Sequence, residues 1–207
     1  MKRRLVLTAV VTVVIAFLGY RAYEMQTIET PAYAVVHADG AFELRQYPEI
    51  VTAEVAREGS RQQAVRSAFG ALARYIFARD REGESIAMTA PVTQERLAAE
   101  PSGGSRGNWR VAFIMPADRQ FDKLPKPASD DIALDRKQPG EFAAIRFSGW
   151  WTDALFARKE RALREWLETQ DRRAAGNAIY AYYNDPLTPG FWRRNEVLVP
   201  IAQREGG

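Results

Sequence analysis

Arg66, Gly70, Ala73, Arg74 and Phe77 are the residues of this chain with the plainest chemical use. At 100° per residue, positions 66, 70, 73 and 77 fall on one stripe of a helix, with Arg74 on its flank. A glycine inside a helix costs about 1 kcal/mol relative to alanine, so Gly70 asks for a reason. One reason is that a side-chain-free gap lets something flat and apolar approach the backbone. Guanidinium groups at the rim of such a gap would receive carboxylates. The plainer use of the gap is to admit the neighbouring helix or the C-terminal loop. A wider stripe, Val65, Ala68, Phe69, Leu72 and Ile76, reads as the face that packs on a sheet.

Other reactive groups are few. His37 is the single histidine, near the N-terminal tether, and cysteine is absent. This excludes disulfides, thiolate ligation and cysteine nucleophiles. No zinc-ligand spacing, P-loop, Gly-x-Gly-x-x-Gly or Gly-x-Ser-x-Gly turn occurs. Glu54, Glu84 and Glu196 remain as carboxylates that would serve a hydrolase if they converged in a cavity. Met88 alternates with Ile86 and Ala90, as a core strand residue would. Pro186-Leu187-Thr188-Pro189-Gly190-Phe191-Trp192 is a loop that covers a slot or simply caps a sheet, and Arg193, Arg194 and Glu196 read as a structural ion pair.

These residues need elements to hold them. Tyr33–Val36 reads as a short edge strand closed by Asp39-Gly40; Phe42–Tyr47 and Ile50–Arg57 read as strands parted by Pro48. Ser60 is positioned to cap a helix running to about Arg79. Strands are expected over Ile86–Thr93 and Trp109–Met115, with a Gly/Ser-rich loop between them and a Pro-rich connection, 116–130, after them. The pattern then recurs: strands over Ile132–Lys137 and Phe142–Phe147, a helix from Thr152 or Asp153 to about Gln170 ended by Gly176, and strands over Ala178–Asn184 and Asn195–Ile201. Two ββαββ halves, about 42–116 and 131–201, suggest an internal duplication. One helix on one small sheet cannot bury its own apolar face. The expected fold is therefore α+β: a distorted, antiparallel-rich, eight-stranded β-barrel with two helices outside.

Charge narrows the partners. Residues 1–21 hold four basic groups (Lys2, Arg3, Arg4, Arg21) and no acid, so the rest of the chain has 25 Lys and Arg against 26 Asp and Glu. With no basic excess, the folded part has little with which to bind nucleic acid. Lys2-Arg3-Arg4 precede the uncharged run Leu5–Tyr20, the pattern of a secretory signal or signal-anchor over residues 1–23. Sixteen helical residues span about 24 Å, short of a hydrocarbon core of roughly 30 Å. Arg4, Arg21, Tyr20 and Tyr23 would make up much of the difference at the interfaces. No small-residue pair marks a cleavage site, which favours an uncleaved inner-membrane anchor over a cleaved signal. The positive-inside rule then places residues 24–40, a tether and edge strand, and the domain 41–207 in the periplasm or otherwise outside the cytoplasm.

Four phrases in order, Leu72-Ala73-Arg74-Tyr75-Ile76, Ile86-Ala87-Met88-Thr89-Ala90-Pro91-Val92-Thr93, Leu124-Pro125-Lys126-Pro127 and Arg193-Arg194-Asn195-Glu196-Val197, resemble the SOUL haem-binding family. The resemblance implies a distorted β-barrel and a non-enzymatic protein that binds haem or another tetrapyrrole non-covalently, for buffering, transport or sensing. It places the macrocycle against the first helix, so that Arg66, Phe69, Gly70, Ala73, Arg74 and Phe77 become the candidate cofactor-binding residues. Some members are thought to use a histidine and others no axial protein ligand; His37 lies outside the matched phrases. Tyr75 matches a recurrent family tyrosine, whose hydroxyl would bond a propionate or a loop carbonyl. Ser85 stands where the family often carries a lysine. The chain is also distantly similar to GyrI-like domains, in which a cavity acid meets cationic ligands. Glu196 is the candidate counterpart, and a binder of amphiphilic or cationic small molecules is the alternative reading.

Overall fold

The computed structural model describes residues 28–97 and 106–202. The expected signal or anchor, and the tether up to residue 27, lie outside the described residues. Among those described, no helix is long and apolar enough to cross a membrane. The chain is α+β. Its strands are β1 (Ala34–Asp39), β2 (Phe42–Tyr47), β3 (Ile50–Ser60), β4 (Val92–Arg96), β5 (Arg106–Ile114), β6 (Ile132–Lys137), β7 (Gly140–Phe147), β8 (Ile179–Tyr182) and β9 (Asn195–Pro200). The helices are α1 (Arg61–Ile76) and α2 (Asp153–Thr169).

All strand pairs are antiparallel, in one sheet ordered β1-β2-β7-β9-β8-β4-β5-β3-β6. Leaving β1 aside, exchanging β2–β5 with β6–β9 gives the same order read backwards, about the central β4–β8 pair. The sheet is not closed, which corrects the barrel expected from sequence. β1 pairs only with β2 and β6 only with β3, so both remain edges. The strap residues Glu29, Pro31 and Ala32 lie beside Pro48, the turn between β2 and β3, and Glu29 is tied to Ala90 and Ala117. Pro31 and Pro48 have no N–H to give a ladder.

Alternation with a period of two gives the sheet two faces. Ala53, Val55, Val111, Phe113, Ala143, Ile145, Val197 and Val199 form the core with Leu72 of α1 and Phe156 and Leu163 of α2. The residues between them face the other way, onto a cleft.

Both helices are capped as their sequences suggest. Ser60 Oγ accepts from Gln63 N while Gln63 Oε1 accepts from Ser60 N, a reciprocal box. Thr152 Oγ1 accepts from Leu155 N. The helix ends differ in part from expectation. α1 stops at Ile76, short of Arg79, because Ala78 turns to φ +50°; α2 ends at Thr169 with Gln170 as its cap, close to the expected end, but the turn is made by Asp171 at +53° and not by Gly176. The expected strand over Ile86–Thr93 is displaced to Val92–Arg96. Upstream, Ile86 N bonds to Ile76 O, Ala90 N to Glu29 O and Thr89 Oγ1 to Ile114 O, so these groups serve loop contacts rather than a ladder. Pro91, after a cis peptide, marks the change.

Candidate functional site

α1 rests on the sheet through Ala64, Ala68, Ala71, Leu72, Tyr75 and Ile76. Phe69, expected within the packed stripe, lies at its edge: its ring meets Phe113 edge-on at 5.2 Å, yet it is 40% exposed. Phe77, two turns on, is 43% exposed. Between them Gly70 and Ala73 are partly open, and Arg66 and Arg74 are exposed. A Cβ added to Gly70 would meet only the Arg74 guanidinium, at 3.8 Å, so neither α2 nor the C-terminal loop fills the gap. Arg74 makes one loose ion pair, at 3.5 Å to Asp80. The six residues thus form an apolar shelf with a cationic rim. Met88, expected in the core, is instead half-exposed, on the segment tied to Ile76 at one end and Ile114 at the other.

Two other groups stand apart from this shelf. His37 is exposed on β1 and stacks 6.3 Å from Trp166 of α2. Tyr75 is buried, and its hydroxyl donates to Pro125 O, a loop carbonyl, at 2.9 Å. Among the described residues, no group of three His, Cys, Asp or Glu side chains could hold a metal ion.

The opposite face of the sheet curls around a cleft of about 330 Å³ lined by side chains from β2 to β9. Its volume falls at the lower end of small-molecule sites. Its apolar lining comes from Phe142, Ile179 and Leu198 on β7, β8 and β9, and from Ile50 and Ile114, which lie opposite Lys137 and Thr52 among the charged residues of β3, β5 and β6. The β3, β5 and β6 part of the lining carries a charged network. Glu54 bonds to Lys137 at 2.7 Å, to Arg110 at 3.2 Å and to the Thr52 hydroxyl at 2.9 Å, and Arg110 also reaches Glu95 at 3.1 Å. Although burial works against its charge, Asp135 and Glu54 hold Lys137 above the ordinary lysine value.

Glu196 does not line the cleft. It is fully buried, bonded to Arg45 Nη1 at 2.7 Å, Arg194 Nη2 at 2.8 Å and the Tyr183 hydroxyl at 2.9 Å. Burial opposes the carboxylate, but the hydrogen bonds and charges of both arginines outweigh it and hold the group below its ordinary range. Burial pushes the Tyr47 hydroxyl up to about 12 despite Arg45 beside it. Of the ion pair read from sequence, Arg194–Glu196 is present, whereas Arg193 turns to Thr188 O and Pro186 O, and Arg45 is the second arginine on Glu196. The three carboxylates do not come together: Glu54 lines the cleft, Glu196 sits in its own arginine cage, and Glu84 is exposed on the loop after α1.

The cleft set Thr52, Glu95, Arg110 and Lys137 was not legible in the sequence as a site. Charged residues at alternate strand positions read as a solvated face, and only the curl of the sheet turns them towards one another. The alternation itself was the available signal.

Solved structures show the same fold at low identity. A hydrolase from Listeria innocua aligns at TM-score 0.55 and 15% identity, over 81% of this chain and 94% of its own. The C-terminal domain of EcmrR aligns at 0.62 and 10%, over 83% and 98%. No curated protein matches the chain at a significant level. The family model for the SOUL heme-binding protein matches residues 28–200, spanning both helices and all nine strands. The chain belongs to the SOUL heme-binding protein family.

Proposed function

We propose that this chain is a non-enzymatic binder of haem or a related tetrapyrrole, held non-covalently and reversibly on the α1 shelf for buffering, transport or sensing. Family membership supports the ligand class, and the uncovered backbone at Gly70, between two half-exposed phenylalanines, supports the place. Gly70 and Ala73 would admit the ring, Phe69 and Phe77 would pack against it, and Arg66 and Arg74 would pair with the propionates. The iron supplies its own ligand and redox chemistry when bound. This chain's part is to shield one face of the ring, and the shelf offers it no histidine. The domain would work outside the cytoplasm, anchored by residues 1–23 or released after signal cleavage.

Hemin titration of the purified protein tests this reading. A saturable, modest Soret shift is expected at micromolar protein, weakened about tenfold or more by Arg66→Glu with Arg74→Glu. Absence of a saturable change would remove the reading.

A second reading rests on the cleft, where apolar side chains adjoin a charged network. It suits a small amphiphile whose cationic or zwitterionic head would compete with Lys137 and Arg110 for Glu54. Here porphyrins would give no thermal stabilisation and amphiphilic cations would.

A further inference from the structure

Four large apolar side chains crowd one corner of the molecule: Trp150, Leu187, Phe191 and Trp192, with Leu187 at 90% and Phe191 at 71% exposure. Their loop holds its shape without burying them. The Arg193 guanidinium donates to Thr188 O and Pro186 O, both at 2.7 Å, and lies 4.8 Å and 4.2 Å from the ring centres of Trp150 and Trp151. Leu187 N donates to Asp185 Oδ1 at 2.8 Å, and Trp150 packs so closely on Gly190 that a Cβ there would sit 2.9 Å from the indole. A polar scaffold therefore presents apolar residues outward, an arrangement that needs an apolar counterpart.

The course of the chain indicates which counterpart. Glu29 accepts from Ala90 N, just before β4; Val92 at the start of β4 pairs with Tyr182 at the end of β8, from which the loop 183–194 springs. The polypeptide thus enters the fold at the same end of the sheet as the exposed aromatics. Only the seven residues Arg21–Thr27 separate Ile28 from the apolar run Leu5–Tyr20, a reach on the order of 25 Å. If that run lies in a bilayer, this end of the domain is kept at the membrane surface. Trp and Phe on a rigid loop are suited to the headgroup region.

We propose that Trp150, Leu187, Phe191 and Trp192 form a second membrane contact, which docks this end of the domain on a lipid bilayer and fixes its orientation. The chain has no native cysteine, so one introduced thiol can be labelled alone. The full-length protein carrying Leu187→Cys, or Ala128→Cys on the exposed connection before β6, is labelled with an environment-sensitive dye. Each is mixed with phosphatidylcholine–phosphatidylglycerol vesicles containing brominated lipid. The label at 187 should lose most of its fluorescence and the label at 128 very little. Adding Phe191→Ser and Trp192→Ser should relieve the quenching at 187 while the protein still floats with the vesicles. Flotation reports the N-terminal segment separately, so a floating protein with equal labels at 187 and 128 overturns the docking contact and leaves the anchor intact. Protection of position 187 by hemin without lipid would make the loop a lid on the shelf, and protection that grows with protein concentration would make it a self-association surface. Either result overturns the proposal.

Discussion

Gly70 is the residue on which the two possible uses of α1 divide. Its surroundings are open, so Gly70→Ala should raise stability by about 1 kcal/mol through helix propensity, measured by chemical denaturation. Gly70→Leu should keep the helix and cost hemin affinity; unchanged affinity would clear the shelf. His37→Ala should leave the hemin spectrum as it is, since His37 stacks on Trp166 of the other helix. Glu196 carries the acid sensitivity of the fold. Its folded-state pKa lies below the ordinary value near 4.5, so its contribution is complete above that pH and is lost as pH falls through the folded value. Glu196→Gln should cost about 3 kcal/mol at neutral pH, by leaving two arginines without their shared anion, and should flatten the acid limb of a stability–pH curve. The Arg194–Glu196 pair was legible in sequence because both stand at one strand start. Arg45, 151 positions away, was not, because only the pairing of β2 with β7 and β7 with β9 brings it there.

At the level of elements, propensity and caps carried most of the information. The strands that read as β-branched runs formed where expected, and Ser60 and Thr152 cap as their positions suggest. Ser60→Ala should cost about 1 kcal/mol, read from the denaturation midpoint. The misread element was β4, where apolar alternation before Pro91 looked like a strand while the N–H groups of Ile86 and Ala90 were already taken by α1 and the strap and the Thr89 hydroxyl by β5. The joint between the helices was equally hidden. Arg61, the first residue of α1, donates at 2.6 Å each to Asp153 Oδ1, Trp151 O and the Tyr182 hydroxyl, and lies over Phe156. From sequence it is one arginine on a helix turn. On β2 and β8, burial pushes Tyr47 and Tyr182 up to about 12. These hydroxyls stay neutral in the fold after they ionise in the unfolded chain, so stability should fall between pH 10 and about 12, followed by circular dichroism.

Across the whole molecule, the order of the sheet decides what the two faces can do. The composition and the ββαββ recurrence led to α+β with two helices, which the structure shows, and to a closed eight-stranded barrel around which they would lie, which it does not. They could not reveal that the sheet stays open, because closure depends on whether the edge strands β1 and β6 find each other, a long-range pairing that local pattern does not encode. The curl without closure gives one chain two surfaces of different chemistry: a cation-rimmed apolar shelf on α1 and a charge-compensated cleft on the opposite face. Family membership names a ligand class without choosing between them. Paramagnetic broadening of amide signals in the isotope-labelled protein on adding hemin makes that choice directly. The account predicts loss of signals along residues 66–77 with the cleft strands little changed; broadening centred on Thr52, Glu54, Ala112 and Lys137, with α1 unaffected, would contradict it.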